Sequence, residues 1–187
     1  MAFSQNNPWA FQAHGLFIKF NVYKLTKCFD CVILYYICYK YDRRRNIMVY
    51  REIYGDLFQV DKKYYLAHCI SADFALGKGI AVEFNKRYDM KKKLHNQFLV
   101  NSDYPACLMI DNVFNLVTKE KYWHKPNYQT LYGALLDMRK HIERYDIKYV
   151  AMPTIGSGLD RLEWPKVLDV IKEVFKNTDV EILVVKR

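Results

Sequence analysis

The order of patterns in the last part of the chain constrains the fold most. Lys148–Ile155 is largely apolar, as in a strand that is covered on both faces, and Val180–Val185 repeats that character. Between them lie the loop Gly156-Ser157-Gly158 and a segment in which Pro165 suits the first turn of a helix. The apolar stripe of that helix has helical spacing and consists of Val167, Val170, Ile171, Val174 and Phe175. Two buried strands with a helix between them predict an α/β arrangement.

The same interleaving extends back to Met48. Periodicity predicts strands at Met48–Ile53, Tyr64–Ile70, Ala106–Ile110 and Val113–Thr118, and helices at Gly79–Tyr88 and from Asn127 onward. Asp111-Asn112 is a hairpin signal, and Asn127 is a candidate helix cap. With 187 residues, of which 51% are hydrophobic, the chain suits one well-packed domain. We therefore expect a three-layer α/β/α domain with a central mixed sheet over residues 47–187.

Residues 1–46 form an amino-terminal extension without an assigned role. They hold seven Lys and Arg residues against two Asp, and therefore more than half of the net charge of +9. A weak alternation over Leu16–Tyr23 leaves two interpretations open, a strand pair or an accessory segment with a solvated basic cluster. The second is favoured, because charge runs are usually solvated. Met48 directly precedes the first regular strand, so we expect translation from Met48 to give a working protein and the extension to be dispensable.

Charge and cysteine usage limit the classes of function. A pI of about 9.2 suits polyanionic partners, namely nucleotides, nucleic acid or acidic membrane surfaces. The most apolar run, Cys31–Tyr39, is far shorter than the ~20 residues of a transmembrane helix, and the first residues lack the order of a secretory signal. Five cysteines, with Cys28-x-x-Cys31 as a lone pair, do not complete a four-ligand zinc site. We expect reduced thiols, no metal, no membrane span and an intracellular protein of the cytoplasm and/or nucleus.

Two glycine-bearing loops follow predicted strands. Gly77-Lys78-Gly79 comes after the strand that leads into Ser71, and Gly156-Ser157-Gly158 comes after the strand that ends at Ile155. Glycine lets backbone N–H groups converge on an anion, and a helix amino terminus adds a partial positive charge. Neither loop matches a Walker loop or the complete dinucleotide fingerprint, and an ordinary turn is the common explanation of either one alone. Together, the two loops suit two phosphates.

Several polar residues near these loops have both a structural and a chemical interpretation. Asp56 closes the first strand, where a carboxylate either caps the next turn or accepts from the amino group of a base. Asp160 lies inside the second glycine loop, near any bound phosphate, an unfavourable place for a negative charge unless it has a chemical role or a cationic partner such as Arg161. His68-Cys69 suits a core position at a strand end, and Lys119 belongs to a run that is typical of a solvated basic loop.

Six separated motifs resemble one known family. They are Asp56-Leu57-Phe58, HCIS at 68–71, GKGIAVEF at 77–84, LVTK at 116–119, HKPNY at 124–128 and MPTIGSGLDRLEW at 152–164. In type and order they resemble the macro domain of the terminal ADP-ribose protein glycohydrolase, from about Met48 to the last residue. The resemblance implies an α/β/α macro domain that binds ADP-ribose. The chain departs from the family in the serine of Gly156-Ser157-Gly158, where cysteine is usual, and in the bulky Lys78.

The resemblance also implies roles for individual residues. Asp56 would bind the adenine amino group, with Leu57 beside it. Two further sets would contact the nucleotide, the diphosphate and the distal ribose: Cys69, Ile70, Ser71, Gly77, Gly79, Ile80 and Ala81 from the first half of the domain, and Thr154, Gly156, Ser157, Gly158 and Leu159 from the second. Lys119 matches the family's catalytic lysine, and Asp160 matches its catalytic aspartate.

The implied reaction removes mono-ADP-ribose, or a terminal ADP-ribose unit, from glutamate and aspartate side chains. A neutral lysine amine attacks the open-chain carbonyl carbon of the distal ribose and forms a Schiff-base-type adduct, as lysines do with carbonyl substrates. An aspartate then moves protons as general acid or base. The expected hydrolase is a monomer that needs no metal or organic cofactor, and its partners are ADP-ribose and ADP-ribosylated proteins.

Three alternatives stay open at this point. The same cleft suffices for a reader that binds ADP-ribose without turnover, and for a hydrolase of small ADP-ribose derivatives such as the 1″-phosphate or O-acetyl forms. A nucleic-acid-binding module would use the positive charge and the 16 tyrosines. No recognisable nucleic-acid-reading motif supports that third alternative, and much of the charge belongs to residues 1–46.

Overall fold

The computed structural model describes residues 10–13, 16–19, 48–100 and 104–187. The chain divides into two compact units, residues 1–44 and 45–187. In the first unit, strands β1 (Ala10–Ala13) and β2 (Leu16–Lys19) form an antiparallel pair. A strand pair was one of the two interpretations that the sequence left open for the extension. The Cys28-x-x-Cys31 pair lies outside the described residues.

The second unit is built on a six-stranded mixed sheet. Its strands are β3 (Val49–Tyr54), β4 (Tyr65–Ser71), β5 (Ala106–Ile110), β6 (Val113–Lys119), β7 (Tyr149–Met152) and β8 (Glu181–Lys186). They lie in the order β3-β8-β7-β4-β6-β5, and every neighbouring pair is parallel except β5 and β6. The carboxyl ends of β4, β6 and β7 therefore meet at one edge of the sheet, where ligands gather in open α/β folds.

Helices cover both faces of this sheet, which confirms the three-layer α/β/α prediction. They are α1 (Ile80–Tyr88), α2 (Met90–Gln97), α3 (Tyr128–Arg144) and α4 (Trp164–Phe175). Phe84 of α1 and Leu94 of α2 pack in the core on one face, and Leu135 of α3 and Ile171 of α4 pack in the core on the other. None of these helices, over the described ranges, is long and apolar enough to cross a membrane.

Two local sequence signals are confirmed. β5 and β6 form an antiparallel hairpin in which Ile110 pairs with Val113, and Asp111 takes the left-handed conformation at φ 50° that such a turn needs. Asn127 caps α3: its side chain accepts from the N–H of Thr130 at 2.8 Å, and the Thr130 hydroxyl accepts from the N–H of Asn127 at 3.1 Å.

The structure differs from the predictions in one helix and in several element boundaries. Helix α2 was not predicted, because its sequence MKKKLHNQ offers only Met90 and Leu94 as buried residues. Strand β7 ends at Met152 rather than Ile155, because Pro153 has no N–H to donate and the N–H of Ile155 bonds to the carbonyl of Pro153 in a tight turn. Strand β6 continues one residue further than predicted, to Lys119.

Candidate active site

A cavity of about 910 Å³ opens beyond the carboxyl ends of the central strands. Its volume lies within the range of roughly 300–1,000 Å³ that is typical of small-molecule sites. Residues predicted from separate motifs line it together: Leu57, Cys69, Ile70, Ser71, Gly77, Gly79, Ile80, Ala81, Lys119, Thr154, Gly156, Gly158, Leu159 and Asp160. The fold thus brings to one place most of the residues that sequence reasoning selected.

The two glycine loops face each other across this cavity, and each depends on a left-handed glycine. Gly79 has φ 61° and serves as the cap of α1, and a Cβ there would lie 3.3 Å from Cδ1 of Leu159 in the opposite loop. Gly156 has φ 71°, and a Cβ there would lie 3.0 Å from Cδ1 of Leu162. A side chain at either position would therefore meet both backbone strain and a close neighbour.

Lys119 and Asp160 meet in the wall of the cavity. Nζ of Lys119 donates to Oδ1 of Asp160 at 2.5 Å, although the two residues are 41 positions apart in the chain. Their side chains are only 15% and 12% exposed, so the ion pair is largely shielded from water. An amine and a carboxylate in direct contact can exchange a proton, which an amine nucleophile with a general acid or base requires.

An irregularity in the sheet directly precedes Lys119. Ile70 of β4 lies opposite Val117 of β6, but the next pair is Ser71 with Lys119, so Thr118 is an extra residue in β6. Such a bulge bends a strand and re-aims the side chains that follow it. In a regular strand, Lys119 would share the face of Val117, which packs in the core with α1 and α2. Lys119 follows this bulge and lines the cavity.

The chain is similar in sequence to several known proteins. Human ADP-ribose glycohydrolase OARD1 is 42% identical to the chain over 132 residues, which cover 70% of this chain and 86% of the human protein. The chain belongs to the macro domain family of ADP-ribose glycohydrolases. A second relative, the DNA ADP-ribosyl glycohydrolase of Mycobacterium tuberculosis, is 26% identical over 133 residues, or 65% of this chain and 37% of that protein. No family model matches the chain.

The solved structures agree at the level of the fold. The macrodomain of Thermus aquaticus DarG matches the protein with a TM-score of 0.66 at 22% identity, over 74% of this chain and 99% of the DarG macrodomain. The macrodomain of Mycobacterium tuberculosis DarG gives a TM-score of 0.65 over 74% of this chain and 97% of that one, also at 22% identity. Both similarities are similarities of fold.

Cys69 lines the site of this macro domain as a protonated thiol. Burial raises its pKa to about 12, and the negative charge of Asp160 adds to that effect, while Lys119 opposes it. At neutral pH the thiolate fraction is therefore negligible, and a thiol without thiolate character is a poor nucleophile. Cys69 therefore lines the cavity as a neutral side chain.

His68 lies in the core next to Cys69, as its position in the sequence predicted. The ring is fully buried, stacks on Phe84 at a centroid distance of 3.8 Å, and donates from Nε2 to Oδ1 of Asn115 at 2.8 Å. Burial lowers the pKa of His68 to about 4, although the bond to Asn115 opposes the shift. The imidazole is therefore neutral at physiological pH and joins β4 to β6.

Two predicted ligand-binding residues, Asp56 and Ser157, do not line the cavity. Oδ1 of Asp56 accepts from the N–H of Phe58 at 3.0 Å and caps the short 3-10 helix Leu57–Gln59, so the capping interpretation is correct for this oxygen. The Ser157 hydroxyl donates to the carbonyl of Thr154 at 2.8 Å, which turns the side chain back into its own loop. Any contact of Ser157 with a ligand would therefore be made by its backbone.

Sequence reasoning missed one wall of the cavity, the segment that follows Lys119. Tyr122, Trp123 and Lys125 line the cavity from this side, and Nζ of Lys125 donates to the carbonyl of Leu159 at 2.5 Å. The run of charged residues around them predicted a solvated loop, so they were not selected as site residues. The signal that could have revealed them is the aromatic pair itself, since two adjacent large rings in a basic loop are unusual on a solvated surface.

Asp73, which the sequence analysis did not consider, connects this segment to the end of β4. Its carboxylate accepts from the Ser71 hydroxyl at 2.5 Å, from the N–H of Tyr122 at 3.0 Å and from the N–H of Ala75 at 3.4 Å. Partial burial raises the pKa of Asp73, but these hydrogen bonds and the charge of Lys121 outweigh it, so the pKa lies below its usual value. The ionised carboxylate thus fixes two sides of the cavity to each other.

Proposed function

We propose that this macro domain hydrolyses the ester bond between ADP-ribose and glutamate or aspartate side chains of proteins, with Lys119 as nucleophile and Asp160 as proton carrier. One observation carries the proposal: the contact of 2.5 Å between Nζ of Lys119 and Oδ1 of Asp160 in the wall of a cavity large enough for a nucleotide sugar. The names of relatives such as human ADP-ribose glycohydrolase OARD1 support hydrolysis of an ADP-ribosyl bond.

ADP-ribose would lie across the cavity with its diphosphate between the two glycine loops. Backbone N–H groups of Gly77–Ala81 and of Gly156–Leu159 would surround the phosphates, and the amino terminus of α1 adds its partial positive charge. Adenine would lie beside Leu57, with Asp56 as acceptor for its amino group through the carboxylate oxygen that does not cap the turn. The distal ribose would then reach Cys69–Ser71, Lys119 and Asp160, with Thr154 between the loops.

The ion pair suggests how the reaction begins. Transfer of a proton from the Lys119 ammonium to the Asp160 carboxylate, along the hydrogen bond that joins them, leaves a neutral amine and a carboxylic acid. The amine forms an N–C bond to the carbonyl carbon of the open-chain distal ribose, and the carbonyl oxygen leaves as water with protons supplied through Asp160. While the sugar is held on the lysine, a water molecule adds to the ester carbonyl, the bond between that carbon and the sugar oxygen breaks, and the protein carboxylate leaves. Water then cleaves the N–C bond, which restores the amine and frees ADP-ribose.

The test follows release of ADP-ribose from a protein that is ADP-ribosylated on acidic residues. We expect release by the wild type, and a loss of about 100-fold or more in Lys119→Ala and in Asp160→Ala, because each variant lacks one partner of the chemical step. Mass spectrometry after reductive trapping should find ADP-ribose on Lys119 of the wild type. The matched control is Lys93→Ala, since Lys93 and Asp111 form an exposed ion pair of 2.7 Å that does not line the cavity.

Other outcomes would assign other functions. A wild type that binds ADP-ribose but never releases it from protein is a reader. Turnover of O-acetyl-ADP-ribose or ADP-ribose 1″-phosphate without turnover of the protein ester indicates a hydrolase of small derivatives. A trapped adduct that persists in Lys119→Ala would remove Lys119 from the role of nucleophile.

The proposal includes the setting of the reaction. We propose that residues 47–187 act as a monomer inside the cell, in the cytoplasm and/or nucleus, with ADP-ribosylated proteins as partners. The chemistry of an amine nucleophile and a carboxylate requires no metal ion. Among the described residues, no group of three or more His, Cys, Asp or Glu side chains is placed to hold one. Activity that is unchanged after treatment with a chelator is the measurement that checks metal independence.

A further inference from the structure

Two aromatic rings are exposed at the mouth of the cavity. Tyr122 is 53% exposed and Trp123 is 61% exposed, and both line the cavity that contains Lys119 and Asp160. Their ring centroids are 4.7 Å apart and their planes cross at 88°, so the rings form a corner. Large exposed aromatic side chains at a site are a mark of recognition surfaces, because they offer apolar contact area at a low cost in conformational entropy.

The backbone that carries this corner is held on several sides. The carbonyl of Lys119 accepts from the N–H of Ala72 at 2.9 Å, and the N–H of Tyr122 donates to the Asp73 carboxylate at 3.0 Å. Beyond the rings, Nζ of Lys125 donates to the carbonyl of Leu159 at 2.5 Å. The segment is thus fixed both to the end of β4 and to the second glycine loop. A contact surface fixed in this way needs little ordering when it binds.

The position of the corner determines what it can contact. The bond that breaks lies next to Lys119, so the group on the far side of that bond must leave the cavity past its mouth. Tyr122 and Trp123 follow Lys119 by three and four residues and line the same cavity. The corner therefore faces the path of the leaving carrier, meaning the molecule to which ADP-ribose is attached.

The charges of the segment that carries the corner favour a polypeptide carrier over a nucleic acid. The cations of this segment are already engaged: Lys119 with Asp160, Lys125 with the carbonyl of Leu159, and Lys121 in the field of Asp73. Glu120 adds a negative charge to the same segment, 3.9 Å from the ring of His124. A phosphate backbone needs a track of available cations beside stacking rings, which this segment does not offer.

We propose that Tyr122 and Trp123 are specificity-determining residues that contact the polypeptide carrying ADP-ribose and select apolar residues beside the modified glutamate or aspartate. The inference rests on the proposed function, because it requires that the site accepts an ADP-ribosylated acidic side chain. It goes beyond that function by naming which part of the protein substrate is recognised and by which rings.

The experiment compares leaving groups. One peptide carries ADP-ribose on a glutamate flanked by leucine and valine, a second peptide has glycine and serine at those flanks, and O-acetyl-ADP-ribose presents the smallest ester. We expect the wild type to have a kcat/KM about tenfold higher for the apolar peptide than for the glycine-serine peptide. In Trp123→Ala and Tyr122→Ala this preference should fall to about twofold or less, while turnover of O-acetyl-ADP-ribose stays within about twofold. Tyr122→Ala keeps the backbone N–H that bonds to Asp73.

The matched control is Tyr145→Ala, which removes a ring that is 52% exposed but does not line the cavity, and it should keep the peptide preference. Equal losses on all three substrates would overturn the inference, because the rings would then contact ADP-ribose itself. No loss on any substrate would also overturn it. A loss confined to an ADP-ribosylated oligonucleotide would assign the corner to a nucleic-acid carrier and reject the polypeptide.

A binding measurement distinguishes failure of this inference from failure of the proposed function. Peptides that carry ADP-ribose through a stable, non-hydrolysable linkage report recognition even if the wild type cleaves no ester. We expect the apolar conjugate to bind about tenfold more tightly than free ADP-ribose, and this advantage to disappear in Trp123→Ala. Absence of turnover with the advantage intact would reject the hydrolase and keep the inference. Turnover of the ester without tighter binding of the apolar conjugate would reject the inference and keep the hydrolase.

Discussion

The contact between Lys119 and Asp160 depends on individual residues that the chain holds far apart. Pattern alone assigned Lys119 to a solvated basic loop, and the resemblance to a family selected it. For Asp160 the sequence offered Arg161 as a neighbouring cation, but the ion pair in the structure is with Lys119. Arg161 takes a left-handed φ of 62° and also lines the cavity. The sequence left two explanations for Asp160, a cationic partner or a chemical role. The contact with Lys119 is compatible with both.

Because the ion pair is shielded from water, substitution of either residue should change the free energy of unfolding. Lys119→Ala leaves the Asp160 carboxylate, 12% exposed, without its cation, and we expect a loss of about 1–3 kcal/mol in the free energy of unfolding. Adding Asp160→Asn removes the uncompensated charge and should restore about half of that loss or more. Urea denaturation of the two single variants, the double variant and the wild type measures the effect. Simple additivity of the two single losses would show that the pair is not coupled.

At the scale of elements, the parallel order β7-β4-β6 creates the site. The carboxyl end of β4 brings Ser71, the end of β6 brings Lys119, and the loop after β7 brings Asp160 to the same edge. The sequence patterns located these strands well. They could not show that β4 lies between β6 and β7, nor that a bulge at Thr118 precedes Lys119, because both depend on pairing between distant segments.

The second glycine loop contains a matched pair of positions for testing its conformation. Gly156→Ala should lower the free energy of unfolding by about 1–2 kcal/mol, since φ 71° disfavours a Cβ and that Cβ would lie 3.0 Å from Leu162. Gly158→Ala is the control, because a Cβ there has no heavy atom within 4 Å, and its stability should stay within about 0.5 kcal/mol of the wild type. Chemical denaturation decides, and equal stability of the two variants would contradict the prediction.

For the whole molecule, the buried His68 links folding to pH. Its pKa is about 4 in the folded protein, because of burial, against an ordinary value of 6.5. Between these values the unfolded chain binds a proton that the folded protein excludes, so stability falls as the pH falls. The contribution is fully present above pH 6.5 and is lost progressively toward pH 4, by on the order of 3 kcal/mol.

The measurement is chemical denaturation of the wild type and His68→Gln across pH 7 to 4. Carboxylates also titrate in this range, so the prediction concerns the difference: the wild type should lose more stability than His68→Gln, which has no titrating ring at that position. His95→Gln, which removes an exposed imidazole, should follow the wild type. Parallel curves for the wild type and His68→Gln would show that the buried ring does not govern this part of the pH dependence.

The sequence by itself determined most of the elements and the two glycine loops that line the cavity. Hydrophobic periodicity, the turn at Asp111-Asn112, the cap at Asn127 and the glycine loops report local conformation and burial, which neighbouring residues largely decide. It missed helix α2, where only Met90 and Leu94 are buried and the tertiary contact outweighs a weak local pattern. Only the tertiary structure decided that Lys119 meets Asp160 and that Tyr122 and Trp123 line the same cavity. These contacts join segments through the order and register of the sheet, and the spacing of residues along one chain does not contain that order.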